Sequence, residues 1–261
     1  MLLEYNFSHR SKIYFNNYNN YTMRKLTLLF MFIVATMFAS AQNLQLHYDF
    51  GADRGYLTTT LEKFAPDKYG STFFFVDFNY DKKGPTEAYW EIARELKNWD
   101  GPLSVHVEYN GGLHTNVVSE VLGIQVRNSF QINNAYLLGG TYTWNAANFS
   151  KGFSLSAMYK NIQGNDSPHN FQLTGVWYIN FLDGKLSFSG FADLWSEKHT
   201  VSNDGFKTDF QDASLVFLSE PQLWYNLNKA FSVGGEVELG YNFGGVAGFN
   251  VCPTLGAKWT F

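Results

Sequence analysis

The chain has 261 residues and a formal charge of −4, with 18% Phe, Tyr and Trp and 16% charged residues, against about 25% charged in an ordinary soluble domain. That balance argues against a cytosolic enzyme, and the acidic sign excludes a nucleic-acid binder, which needs a basic stripe. The lone Cys252 permits no internal disulfide and, with no Cys or His beside it in sequence, no zinc site.

Residues 1–22, "MLLEYNFSHRSKIYFNNYNNYT", are rich in Asn and Tyr and precede a credible initiator at Met23. We read them as an over-extended start without structure. Met23-Arg24-Lys25 is a basic leader, Leu26 to Phe38 an apolar run, and Ala39-Ser40-Ala41 a small-x-small cleavage site. Together, residues 23–41 read as a signal peptide, too short to span a membrane. No Cys follows the cleavage site, so no lipid anchor is expected, and the mature chain starts at Gln42. Taking away residues 1–41 removes four basic residues and one acidic one, moving the charge to −7.

From there residues 42–261 read as one domain. Strand-like alternation recurs at 43–51, 55–64, 70–80, 87–99, 102–112, 134–144, 152–161, 169–181, 185–195, 215–227, 230–242 and 249–261, which makes twelve strands. Segment 87–99 is ambiguous, because Tyr89, Ile92, Ala93 and Leu96 also fit helical spacing. As a strand it sets Arg94 on the parity of Trp90 and Ile92, which a bulge near Ala93 or one helical turn would repair. Links after strands 2, 4, 6, 8 and 10 are tight, whereas 113–133 and 196–214 read as long loops at the opposite end. Short turns at one end and long loops at the other is the pattern of bacterial outer-membrane barrels.

The two faces are unequal. On 44–50, 103–109, 153–159, 171–181, 231–241 and 249–261 the oily parity has no charge, while the other has no Leu, Ile, Phe or Trp. Aromatics end the oily face, among them Tyr48, Tyr109, Tyr159, Trp177, Tyr241 and Trp259, as expected of girdles at two membrane interfaces. Pro221 and Pro253 lack a ladder donor and are expected at bulges or near the loop rim. The fold class is therefore all-β: a closed antiparallel transmembrane β-barrel of about twelve strands, whose last strand pairs with the first.

On "LTTTLEKFAPDKYGSTFFFVDF", "EAYWEIARE", "LSVHVEYNGG", "AYLLGGTYTW" and the closing "WTF", the chain resembles the nucleoside-specific channels of the outer membrane (Tsx-like), as a Bacteroidetes-type member. The resemblance spans roughly 43–261. It implies a monomeric twelve-stranded barrel in outer-membrane lipid that passes nucleosides, with no catalytic residues and no cofactor or metal. The terminal Phe261 resembles the signal that hands such barrels to their assembly machinery.

Face parity supplies the candidate solute path. Asp77 and Asn79 would be costly against lipid, so their parity faces inward and takes Phe73 and Phe75 with it. The next strands add Tyr89, Glu91 and Glu95, then His106, Glu108 and Asn110. Aromatic faces would stack a base, and polar groups would bind a ribose. The expected function is a passive diffusion channel for nucleosides or similar small polar solutes. Two alternatives stay open: a lipid-acting enzyme, which needs a Ser–His pair, and a plugged structural or surface-binding barrel.

Overall fold

Strands that alternate oily and wet residues can satisfy their backbone in a membrane only by closing on themselves, since an open edge would leave unpaired amides in hydrocarbon. The computed structural model describes residues 42–52, 54–82, 84–121, 124–205 and 208–261; the readings of residues 1–22 and 23–41 lie outside them. Its strands are β1 (Gln42–Asp49), β2 (Leu57–Asp67), β3 (Gly70–Asp81), β4 (Gly84–Leu96), β5 (Leu103–Val121), β6 (Ile124–Asn145) and β7 (Lys151–Ile162). Then follow β8 (His169–Phe181), β9 (Leu186–Ser202), β10 (Phe210–Ser219), β11 (Gln222–Asn226), β12 (Phe231–Tyr241) and β13 (Phe249–Thr260). All pair antiparallel with their neighbours, and β13 pairs with β1 from Asn43↔Thr260 to Asp49↔Thr254, which closes the barrel.

Thirteen segments make twelve staves, because β10 and β11 lie end to end between β9 and β12. Pro221 causes the break, and it corrects the expectation of a bulge or rim position. Leu218↔Asp193 and Gln222↔Ser189 keep one register on β9, as do Ser219↔Leu239 and Gln222↔Glu236 on β12. Pro221 thus sits inside a continuous stave. Its carbonyl accepts from the Val237 amide at 3.1 Å, and having no N–H it cannot return the bond. On the other side Gly190 lets the backbone come close; a Cβ there would stand 2.5 Å from the Glu220 carbonyl oxygen. Pro253 faces Val237 on one side, and on the other lies just past Asp49, the last residue of β1, where its carbonyl accepts from the Phe50 amide at 2.9 Å.

Segment 87–99 is strand as far as Leu96. Its pairing with β3 is regular at Ala93, and the register shift falls instead between Asn79 and Tyr80. Arg94 does point outward, but at the rim, where it donates to both Asp67 carboxylate oxygens at 2.6 and 2.9 Å and to Thr72 Oγ1 at 3.1 Å. That replaces the bulge as the answer to a charge on the oily parity.

The long loops are also corrected. In place of a loop over 113–133, β5 and β6 stay paired to Val121↔Ile124, and β9 and β10 pair up to Ser202↔Phe210. Beyond the bilayer both faces of a ribbon are wet, so the oily alternation disappears while the ladder continues. By contrast β3 ends at Asp81 and β4 begins at Gly84. The asymmetry of the two ends is therefore one of strand overhang.

Outward residues are exposed large hydrophobics, such as Leu46, Val107, Leu138, Leu155, Leu173 and Leu255. Two aromatic bands bound them. Tyr109 and Tyr136 stack at 5.4 Å at one end, and Trp144 and Phe153 at 5.7 Å near the other. Tyr136 and Trp144 are eight residues apart on β6, about 20 Å along the axis at the usual strand rise and tilt, which suits the hydrocarbon band of such barrels.

Candidate functional site

Register carries each inward residue to the next strand. Gln45 and His47, both buried, lie beside Thr60 and Thr58. Thr58 and Thr60 lead to Asn79 and Asp77, and Phe73, Phe75 and Asp77 lead to Ala93, Glu91 and Tyr89. Glu91, Ala93 and Glu95 then meet Asn110, Glu108 and His106. The nine residues singled out from sequence thus share one inner wall, on three adjacent strands.

Their chemistry falls into two groups. Phe73, Phe75 and Tyr89 form an aromatic shelf, with ring centroids 6.0 and 5.9 Å apart in turn. Beside it, Thr60 donates to Asp77 Oδ1 at 2.5 Å and Asn110 Nδ2 to Glu91 Oε2 at 3.3 Å. The second group centres on His106, whose Nδ1 lies 2.6 Å from Glu95 Oε1 and whose Nε2 lies 2.8 Å from Glu108 Oε2. An imidazole that donates to both carboxylates carries a proton on each ring nitrogen, which makes such a bridge charge-assisted. Glu95 also accepts from Ser104 at 2.5 Å and Thr141 at 3.0 Å.

The opposite wall was less legible. Asp193 and Trp195 on β9 face inward beside Thr174 and Gln172. Lys160 donates to Gln172 Oε1 at 2.8 Å and stands 4.3 Å from the centre of the Trp195 ring. A similar pair recurs near the seam: Lys258 lies 4.3 Å over Trp224, which His47 meets edge-on at 5.5 Å. Glu220, Glu236 and Glu238 add to the acidic lining, with Gln222 donating to Glu236 Oε2 at 2.9 Å. Between the walls, Ala135, Leu137, Met158 and Ile162 form a buried apolar patch. The adjacent pair Leu137-Leu138 was its available signal, since neighbours on a strand face opposite ways; Leu137 is 2% exposed and Leu138 57%.

One link reaches inward. Arg54, between β1 and β2, donates to Asp49 Oδ2 at 2.9 Å and to Glu238 Oε2 and Oε1 at 3.1 and 2.6 Å. It clasps β1 to β12 over β13, the strand between them. Neither inward histidine is placed to activate a serine: His106 is held by carboxylates, and His47 has Thr254 Oγ1 and Gln45 Oε1 each at 2.9 Å.

The barrel has known counterparts. It is similar to the NanC porin, with a TM-score of 0.52 and 12% identity over 85% of this chain and 100% of that one. It also matches the KdgM porin, with a TM-score of 0.44 and 11% identity over 85% and 99%. Omp33 of Acinetobacter baumannii matches with a TM-score of 0.39 and 12% identity over 85% and 98%. The match to the NanC porin establishes a porin-type outer-membrane barrel fold. No curated protein matches the sequence. A family model described as "Domain of unknown function (DUF5020)" matches residues 41–261.

Proposed function

The chain belongs to the DUF5020 family, and from its porin-type barrel and the chemistry of its lumen we propose that it is a passive diffusion channel of the outer membrane. It takes small polar solutes, nucleosides foremost, reaches that membrane through the signal peptide 23–41 and works as a monomer. The observation behind this reading is the aromatic shelf of Phe73, Phe75 and Tyr89 set against Glu91 and Asn110 on one inner wall. A base stacked on an aromatic gains about 1–3 kcal/mol, enough to favour one solute class without trapping it. The neighbouring carboxylates and amide can accept from or donate to ribose hydroxyls. Their charge also disfavours nucleotides and other phosphorylated solutes.

Liposome swelling with nucleosides and size-matched sugars tests the proposal. Nucleosides should enter faster through the wild-type barrel. Phe75→Ala should slow them while leaving small-ion conductance near or above wild type. Equal rates for nucleosides and sugars in both proteins would remove the nucleoside specificity and leave a general pore.

A further inference from the structure

On the lumenal wall, the buried oxygens left without partners are all acceptors. Glu108 and Asn110 are each 6% exposed, yet Glu108 Oε1 and Asn110 Oδ1 have no hydrogen-bond partner; Asp193 Oδ1 on β9 is also buried without one. Buried polar atoms are nearly always paired, and a carboxylate or amide oxygen can be completed only by a donor.

Charge points the same way. Register sets Glu91 beside Asn110 and Glu108 beside Ala93 on β4 and β5, and Asp193 faces the same lumen from β9. The local cations are already engaged. His106 lies between Glu95 and Glu108, and Lys160 is given to Gln172 and the Trp195 face, with no ion pair to a carboxylate among the described residues. Three carboxylates, Glu91, Glu108 and Asp193, thus face one ammonium and a histidine shared with a fourth. An organic cation that carries N–H donors meets both needs at once, opposite charge and hydrogen bonds to the orphaned oxygens.

We infer that Glu91, Glu108, Asn110 and Asp193 form a binding site on the lumenal wall of the barrel for a cationic donor group of the passing solute, an alkylammonium or guanidinium. The pore therefore prefers cations. This rests on the channel reading but not on nucleosides as the solute. A guanidinium suits the site well, because its planar fork of N–H groups can meet several acceptors at once. Excess negative charge between low-dielectric walls concentrates cations along the path and repels anions.

The purified protein in planar bilayers under a KCl gradient provides the test. The reversal potential should show K⁺ preferred over Cl⁻ by about fivefold or more. Asp193→Asn and Glu91→Gln should bring that ratio towards one. Millimolar guanidinium should reduce the K⁺ current, while urea, a neutral molecule of nearly the same shape, should not. If either variant fails to fold, the guanidinium–urea comparison on the unaltered protein still decides. A conducting barrel with no cation preference, or one equally indifferent to both probes, overturns this inference alone. A folded barrel with no conductance overturns the channel reading and this inference with it.

Discussion

A single parity step separates lipid from lumen. Leu173 is an exposed outward residue of β8, and Thr174 faces inward opposite Asp193. Leu173→Arg should therefore cost up to about 2–4 kcal/mol near the midplane. Thr174→Arg puts its charge beside a carboxylate and should be tolerated. The shift in urea unfolding midpoint of the two variants in lipid vesicles measures the difference; equal losses would mean that the face assignment is wrong. Ser156 shows where parity alone misleads. Sequence makes it as permissive as Thr174, but it is buried with its hydroxyl 2.8 Å from Thr141 Oγ1, so an arginine there must displace packed neighbours.

At the scale of elements, what matters is which pairings the barrel needs. Beyond the membrane, β5 and β6 continue as a ribbon that pairs chiefly with itself, from Asn116↔Asn128 to Val121↔Ile124. Arg127 ties it to the preceding β3–β4 hairpin, donating to Asp81 Oδ2 at 3.0 Å. A hairpin of this kind adds local ladder bonds and little to closure. Replacing residues 117–127 with a tight turn should leave heat-modifiable migration and the β-sheet circular dichroism unchanged. Loss of the folded band would show that the overhang nucleates the barrel. The split stave behaves differently, because β10 and β11 each bridge β9 and β12 and neither can be removed without opening a gap.

For the whole molecule, the critical joint is the seam between the first and last strands. Seven residue pairs join β1 to β13, and the Phe261 amide extends the ladder to the Gln42 carbonyl at 3.1 Å. Trp259 and Phe261 stack outward at 4.9 Å, where aromatic rings favour the membrane interface. We propose that this pair is also what the barrel-assembly machinery reads. Trp259→Ala with Phe261→Ala should lower the fraction of heat-modifiable protein in outer-membrane fractions several-fold. The same double variant refolded in detergent should lose much less, because the seam ladder is made by backbone. Similar losses in both settings would make the role purely structural.

The sequence by itself determined the barrel, its twelve staves, the inward and outward faces and the wall built from Phe73 to Asn110. Lipid on one side and water on the other impose a period of two that one strand can display alone. Where that contrast fades, so did the reading. The β5–β6 ribbon runs on past the oily alternation, and part of the inner wall of β6 and β7 is as apolar as the outer one, with Leu137 and Met158 pointing inward. Tertiary structure alone decided that Pro221 sits within a continuous stave, that Arg54 clasps Asp49 to Glu238, and that Asp193 faces the same lumen as Glu91 and Glu108. These depend on register between residues far apart in the chain, and register is fixed only when every stave has found both neighbours and the ring has closed.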